Sequence, residues 1–246
     1  MSFSVILPTL NEKGHILDLI DEISNILKNK KKIFEIIVVD DNSTDGTQDI
    51  IERELETRPY LKLIKRESSS RNLASSINEG IKLAKFEFVI WMDADFQHPP
   101  KYIENFIDQV KKFDVVISSR FLKDSERYFN SNNLKKEINE NQSYFYNKLC
   151  RFLLFKDFTD YTSGFVCVKK NIFQNYSLKG FYGDYFVKLL VYLKKNNFKI
   201  TEIPFKDELR ASGLSKTVVN LNLKYMYTCL RYFLTLIICF FSKYKP

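Results

Sequence analysis

The sequence predicts an α/β fold in which a mainly parallel sheet is flanked by helices. Apolar runs typical of buried strands alternate with segments whose apolar residues recur every three or four positions, as on one face of a helix. Such alternation favours parallel strand–helix–strand units. Polar and acidic clusters follow three of the apolar runs, at residues 8–12, 40–45 and 93–97. Because ligands of such sheets bind at the carboxyl ends of the strands, we expect the three clusters to share one crevice.

The first two strand–helix units precede residue 57. Residues 3–7 are an apolar run that predicts a buried strand, and residues 16–27 place isoleucine and leucine at the spacing of an amphipathic helix. Residues 34–39 form a second apolar run, which the polar residues 40–47 end. Residues 48–56 then predict a second helix.

Three further strands follow. The third is predicted at residues 61–64, before a helix at 71–84 that is rich in small residues. The fourth strand, at 88–92, ends abruptly in two acids. A helix at 99–112, begun by two prolines, leads to the fifth strand at 115–118.

The pattern is less regular after residue 120. Residues 121–142 are polar, mixed in charge and too long for an ordinary connection, so we expect a mobile functional loop there. The chain then returns to a helix at 144–155, a strand at 163–168, a helix at 185–194 and a last strand at 198–203. One compact domain is therefore predicted from residue 1 to about residue 210.

Residues 211–246 differ in kind from this domain. They contain no Asp or Glu, but five Lys or Arg residues among many aromatic and aliphatic ones. The apolar part is interrupted by Arg231 and is shorter than the roughly 20 apolar residues of a membrane-spanning helix. It is typical of an amphipathic helix in the membrane interface, with its cations toward anionic lipid. Packing on the core or on a second subunit is the alternative.

The composition narrows the possible functions. The chain has 246 residues and a net charge of +8, which suits nucleic acid, anionic lipid or a phosphorylated substrate. Nucleic acid is not expected, because the cations gather in loops and in the tail instead of forming one basic face. Four cysteines without paired spacing and two histidines predict no zinc cluster. No basic region followed by a long apolar stretch begins the chain, so we expect no secretory signal and a cytoplasmic domain.

Asp93 and Asp95 are the most informative pair of side chains. They straddle Ala94 at the end of a predicted strand, and side chains two apart on a strand share a face. They can therefore converge on a hard divalent ion that takes its remaining ligands from substrate phosphates and water. A solvated turn that caps the helix begun by Pro99 and Pro100 is the alternative.

Four ordered motifs resemble family 2 of the nucleotide-sugar glycosyltransferases. They are Pro8-Thr9-Leu10-Asn11-Glu12, the run from Val38 to Thr47, Asn78-Glu79-Gly80, and Asp93-Ala94-Asp95-Phe96-Gln97-His98-Pro99-Pro100. The similarity is greatest to dolichyl-phosphate mannose synthases and their bacterial polyprenyl-phosphate relatives. It continues at residues 160–165 and 210–216 and so covers nearly the whole chain.

The resemblance implies the A-type glycosyltransferase fold, with a Rossmann-like sheet that binds a nucleotide sugar. It also implies an inverting, metal-dependent transferase that uses Mg²⁺ or Mn²⁺. The implied donor is a GDP- or UDP-sugar, with mannose or glucose as the hexose. The implied acceptor is a polyprenyl phosphate at the cytoplasmic face of a membrane.

The same resemblance implies roles for individual residues. The nucleotide-sugar pocket is implied to contain Pro8, Leu10, Glu12, Val39, Asp40, Asp41, Asp93, Ala94, Arg210 and Lys216. The implied metal ligands are Asp93, Asp95 and Gln97. The implied acceptor-phosphate contacts are Arg120, Arg127 and Ser163, and the implied catalytic residues are Asp95, Arg120 and Asp184.

Two departures from the resemblance concern the donor sugar and the acceptor. The related synthases carry a lysine in the segment matching residues 180–185, where this chain has none, and an arginine where this chain has Val166. Members of the family that glycosylate hydroxyl groups place an acidic general base near this region. Asp184 is therefore predicted either to be such a base, in transfer to a saccharide hydroxyl during surface-glycan synthesis, or to cap the helix that follows it.

Overall fold

A computed structural model describes residues 1–67, 72–122, 134–180, 182–208 and 223–243. Within these ranges the chain forms one seven-stranded sheet with helices on both faces. The strands are β1 (Ser2–Thr9), β2 (Ile33–Asp40), β3 (Leu61–Lys65), β4 (Phe88–Trp91), β5 (Val115–Ser119), β6 (Val166–Lys169) and β7 (Ile200–Pro204). The helices are α1 (Ile16–Asn29), α2 (Thr47–Glu54), α3 (Leu73–Leu83), α4 (Ile103–Gln109), α5 (Leu134–Leu153), α6 (Asp184–Lys195) and α7 (Leu223–Lys243). Short 3-10 helices lie at Pro100–Tyr102 and Lys170–Gln174.

The strand order is β3-β2-β1-β4-β6-β5-β7. In the described part of the chain, β6 is the one strand that runs antiparallel to its neighbours, β4 and β5. The other strand pairs are parallel. The predicted mainly parallel α/β fold is therefore confirmed. The direction of β6 could not be predicted, because a continuous apolar run carries no information about strand direction.

The central strands are apolar on both faces because helices cover both faces. In β1, the neighbouring Val5 and Ile6 point to opposite sides of the sheet, and both are fully buried. Ile6 belongs to the same apolar cluster as Ile77 of α3. Val5 belongs to the cluster that contains Leu19 of α1 and Phe106 of α4. The sheet is therefore a rigid platform for the loops at its edge.

Helix α5 corrects the prediction of an irregular segment over residues 121–142. The helix begins at Leu134, so the last part of that segment is helical. Its first turns are polar and mixed in charge, which removes the apolar periodicity on which the prediction of a helix depends. Residues 123–133 lie outside the described residues, so a mobile loop there stays a prediction.

Helix α7 has one buried and one exposed side. Leu236 and Cys239 are buried where α7 packs beside α6. The exposed side carries large apolar side chains, here called the apolar stripe: Met226, Tyr227, Leu230, Phe233, Leu234, Ile237, Ile238 and Phe241. These side chains are between 38% and 65% exposed. None of the helices in the described ranges combines the length and the hydropathy needed to cross a membrane.

Candidate functional site

The three polar clusters predicted from the sequence lie at the same end of the sheet, where the strands before them end. β1 is parallel to β2 and to β4, with Thr9 opposite Asp40 and Ile6 opposite Trp91. The loops that follow these three strands therefore lie side by side. β5 runs in the same direction as β4, since both are antiparallel to β6. Arg120, which follows β5, consequently lies at this end too.

The loops after β1 and β2 are hydrogen-bonded into one unit. The main-chain N–H of Asn11 donates to Ser43 Oγ at 2.7 Å, and that of Thr44 donates to Asn11 Oδ1 at 2.8 Å. The N–H of Glu12 donates to Thr47 Oγ1 at 3.0 Å. Asn11 has a φ of 57°, a left-handed conformation that asparagine tolerates better than most residues. The predicted nucleotide-binding residues within and beside this unit are Pro8, Leu10, Glu12 and Val39.

Asp40 is directed into the protein. Its carboxylate is fully buried and accepts hydrogen bonds from Thr9 Oγ1 at 2.8 Å, Ser43 N–H at 2.8 Å, Ser43 Oγ at 2.6 Å and Gln48 Nε2 at 2.6 Å. These contacts join the end of β1, the end of β2 and the start of α2. The geometry therefore gives Asp40 the task of shaping the loop.

Asp41 lies nearer the surface and is held by Arg66, a residue that the sequence analysis missed. The side chain of Asp41 is 13% exposed, and that of Arg66 only 3%. Arg66 is ion-paired to Asp41 and to Glu79, and it donates to Ser75 Oγ at 2.7 Å and Ser76 Oγ at 2.6 Å. A buried arginine with this many acceptors is a fixed support. Its position in the sequence, one residue past β3, gives no signal of this role.

The Asn78-Glu79-Gly80 motif also serves the architecture. Asn78 exchanges two hydrogen bonds with the main chain of Leu178, both of 2.9 Å. Glu79 pairs with Arg66. Gly80 lies against the sheet so closely that a Cβ added to it would be 2.6 Å from Ile6 Cγ2. The motif therefore fixes α3 to the sheet.

Residues 93–97, here called the acidic loop, are held by His98. The imidazole Nδ1 accepts a hydrogen bond from the N–H of Asp93 at 2.9 Å, and the ring stacks on Phe165 with centroids 5.0 Å apart. Burial lowers the pKa of His98 to about 4, so the ring is neutral near pH 7 and Nδ1 can accept. Asp95 is buried, and its Oδ1 accepts from the N–H of Gln97 at 3.1 Å. The main chain of the loop is thus held by two side-chain acceptors, His98 Nδ1 and Asp95 Oδ1.

The chemistry of the acidic loop fits a divalent cation shared with a substrate. Asp93, Asp95 and Gln97 offer hard oxygen donors of the kind that Mg²⁺ and Mn²⁺ prefer. In the ranges that the structure covers, no group of three or more His, Cys, Asp or Glu side chains could hold a metal. Two carboxylates leave coordination positions for phosphate oxygens and water. Ala94 between them is buried and brings no bulk to the site.

Arg120 lies at the same end of the sheet as the acidic loop, because it follows β5 and the loop follows β4, and these two strands run in the same direction. Its side chain is 25% exposed and is ion-paired to the fully buried Asp160 at 2.8 Å. It also lies over the ring of Phe121, 5.3 Å from the centroid. Burial alone would lower the pKa of Arg120, but the charge of Asp160 raises it, so the arginine stays protonated.

The side chains of Asp184 and Ser163 are hydrogen-bonded to other groups of the protein. Asp184 is 1% exposed; its Oδ1 accepts from the N–H of Tyr182 at 2.9 Å, and its Oδ2 accepts from Thr235 Oγ1 and is ion-paired to Lys188, both at 3.2 Å. These contacts join the start of α6 to α7. Ser163 Oγ accepts from the N–H of Phe165 at 3.3 Å, within its own turn. Three other predicted site residues lie outside the described residues: Arg127, Arg210 and Lys216.

Comparison with known proteins places this geometry in a family. Residues 4–177 match the sequence model of the family described as Glycosyl transferase family 2. Dolichol-phosphate mannosyltransferase of Pyrococcus furiosus is 32% identical over 227 residues, which are 88% of this chain and 59% of that protein. The protein of the same name from Saccharomyces cerevisiae is 29% identical over 49% of this chain and 45% of its own length. The matches therefore span only 59% and 45% of the lengths of these two relatives.

Solved structures share the fold. Glucosyl-3-phosphoglycerate synthase from Mycobacterium tuberculosis, in complex with Mn²⁺, UDP-glucose and phosphoglyceric acid, has a TM-score of 0.70 at 17% identity, over 97% of this chain and 79% of its own. Its complex with Mg²⁺ and UDP has a TM-score of 0.68. The sheet, the ordered motifs and the family match agree with one another. The chain belongs to Glycosyl transferase family 2 and has the A-type glycosyltransferase fold.

Proposed function

We propose that the chain transfers a hexose, mannose or glucose, from a GDP- or UDP-sugar to a polyprenyl phosphate, with inversion and with Mg²⁺ or Mn²⁺ as cofactor. The names of the relatives, dolichol-phosphate mannosyltransferases, support the acceptor and the hexose. The observation that carries the proposal is the position of Arg120. This protonated, partly exposed arginine follows β5 at the end of the sheet where the acidic loop follows β4.

On the donor side, the chain's acids are proposed to bind the nucleotide and the metal. Asp93, Asp95 and Gln97 would hold the divalent ion, which when bound offsets the negative charge that develops on the departing nucleoside diphosphate. Asp41 is better placed than the fully buried Asp40 to accept from a base N–H or a ribose hydroxyl. Cations from the later part of the chain, Arg210 and Lys216, are proposed to cover the diphosphate.

On the acceptor side, basic side chains are proposed to hold the attacking phosphate. Arg120 would be the principal contact, with Arg127 and Ser163 beside it. A phosphate is already an anion at neutral pH, so no side chain has to remove a proton from it. The contribution of the protein is then to align the phosphate with the anomeric carbon and to stabilise charge. A single displacement aligned in this way inverts the anomeric centre.

The apolar stripe of α7 supports an acceptor carried in a membrane. Eight large apolar side chains are exposed on one side of this helix, and residues 211–246 contain no acid to repel anionic lipid. We therefore propose a catalytic domain at residues 1–210 and an interfacial segment at 211–246. We also propose that the protein works at the cytoplasmic face of a membrane.

Transfer to a saccharide hydroxyl, with Asp184 as the general base, is the alternative. A general base must reach the proton that it removes. Asp184 is buried and holds Lys188, Thr235 and the N–H of Tyr182. These contacts favour a role in joining α6 to α7, and so they favour the lipid-phosphate acceptor.

Incubation with radiolabelled GDP-mannose or UDP-glucose, a short polyprenyl phosphate and Mn²⁺ tests the proposal. We expect label to enter the organic phase and to be lost in Asp95→Asn. The matched control is Asp108→Asn on α4, whose exposed carboxylate pairs with Lys111 three residues away, and this variant should stay active. The absence of lipid-linked product with any common nucleotide sugar would refute the proposal. Transfer to a saccharide that Asp184→Asn abolishes would establish the alternative.

A further inference from the structure

Asp160 is a fully buried acid that the proposed mechanism does not use. Its Oδ2 accepts from Arg120 Nε at 2.8 Å and its Oδ1 accepts from Arg120 Nη2 at 2.9 Å. The main-chain N–H of Arg120 also donates to Oδ2, at 3.2 Å. Two parallel bonds between a carboxylate and a guanidinium fix the plane of the guanidinium as well as its place. Asp160 therefore decides the direction in which Arg120 points.

The turn that carries Asp160 is itself held by Glu202 of β7. Both carboxylate oxygens of Glu202 accept from the N–H of Thr159 at 2.9 Å, and one accepts from the N–H of Asp160 at 3.2 Å. The N–H of Thr162 donates to Asp160 Oδ1 at 3.0 Å, and this hydrogen bond closes the turn. A strand of the sheet thus fixes the turn, and the turn fixes the carboxylate.

Thr162 adds a second contact to the same guanidinium. Its Oγ1 accepts from Arg120 Nη2 at 2.9 Å and from Asn147 Nδ2 of α5 at 3.0 Å. Asn147 also accepts the N–H of Tyr161. The arginine is therefore bound to the sheet through Glu202 and to α5 through Asn147, with Asp160 at the centre.

We propose that Asp160 is a positioning residue that orients Arg120 toward the acceptor phosphate. The inference rests on the proposed function, in which Arg120 contacts that phosphate. A transfer that depends on alignment is sensitive to small displacements of the group that holds the nucleophile. Asp160 also balances the charge of Arg120 before the acceptor arrives, so the half-buried site does not carry an uncompensated cation.

Asp160→Asn tests this role, because asparagine keeps the shape of the side chain and loses its charge. We expect kcat/KM for a short polyprenyl phosphate to fall by about 10- to 100-fold, as for a reacting group displaced by about 1 Å. The affinity for the nucleoside diphosphate with Mn²⁺, measured by calorimetry, should not change. The matched control is Asp114→Asn, which removes the ion pair to Lys169 at the opposite end of β5 and should leave acceptor kinetics unchanged. An equal loss of nucleotide affinity in Asp160→Asn would overturn the proposal.

A double-mutant cycle separates positioning from a general structural effect. Because Asp160 acts through Arg120, Asp160→Asn should have no further effect on acceptor kinetics in an Arg120→Ala background. Losses that add in the double variant would overturn the role of Asp160 while the proposed function stands. Should Asp160→Asn fail to fold, Thr162→Val is the second variant, because it removes the other contact to Arg120 Nη2. Its effect on acceptor kinetics should also disappear in the Arg120→Ala background. A loss of kcat/KM that persists in that background counts against the proposal.

Failure of the proposed function has a different signature. The proposed acceptor site would be refuted if the wild-type protein formed no lipid-linked product, or if Arg120→Ala left the acceptor kinetics unchanged. Either result overturns both proposals. Additive losses in an active protein overturn only the positioning role.

Discussion

Two adjacent acids, Asp40 and Asp41, show how burial divides tasks between residues of one type. Asp40 is fully buried and accepts four hydrogen bonds from the loops around it. Asp41 is partly exposed and is held by Arg66, which is 25 positions away in the sequence. The two acids look alike in the sequence. Their difference depends on the direction in which each side chain leaves the end of β2.

We expect Asp41→Asn to weaken the binding of GDP or UDP with Mn²⁺ by about 10- to 100-fold, since a hydrogen bond to a charged group contributes about 1.5–3 kcal/mol. Asp40→Asn should instead lower the free energy of unfolding by about 1–3 kcal/mol, because buried donors lose their acceptor. Calorimetry and urea unfolding measure the two effects. Asp49→Asn, at an exposed position on α2, is the control that should change neither. Equal losses of nucleotide affinity in both variants would contradict this division.

Helices α5 and α7 show what apolar periodicity does and does not reveal about an element. The first turns of α5 are polar, so their pattern predicts a loop where the structure has a helix. The apolar residues of α7 are plain in the sequence, but only the structure separates the buried Leu236 and Cys239 from the exposed apolar stripe. The proposed interfacial role of α7 rests on this arrangement, in which one side packs on the domain and the other side is exposed and apolar.

Substitution in the apolar stripe should weaken membrane binding. Leu230→Asp and Ile238→Asp should each lower the affinity for phosphatidylglycerol vesicles by at least about tenfold, since burial of such a side chain contributes about 1.5–3 kcal/mol. Co-sedimentation with vesicles measures this. Leu83→Asp on α3 is the matched control, because Leu83 is 54% exposed and far from α7 in the sequence. Unchanged vesicle binding, together with a dimer that dissociates in the variants, would assign the stripe to a second subunit instead.

At the scale of the whole molecule, the predictable features are the local ones. The fold class, the strands and the place of the acidic loop follow from apolar runs and the polar residues that end them. The supports of the site do not follow, because Arg66, Asp160 and Glu202 reach their partners across 25, 40 and 42 positions of sequence. Such contacts depend on strand order. That order includes the antiparallel β6, which no local pattern indicates.

The stability of the whole molecule should depend on pH through His98. Burial lowers the pKa of this imidazole to about 4, from 6.5 for the exposed group. Between these values the unfolded chain binds more protons than the folded chain, so stability is fully present above pH 6.5 and is lost as the pH falls toward 4. The loss amounts to about 3 kcal/mol at most. Urea unfolding at pH 7, 6 and 5 should show a shallower dependence in His98→Asn than in the wild type; equal slopes would show that His98 is not the cause.

The insertion of β6 between β4 and β5 delays completion of the sheet during synthesis. Strands β1 to β4 come from the first 91 residues and pair directly with one another. β5 follows soon after, but in the described part of the chain its strand partners are β6 and β7, which come later. Contacts between distant parts of the chain form later than local ones. The sheet that carries the acidic loop and Arg120 is therefore completed only after β6 has been synthesised.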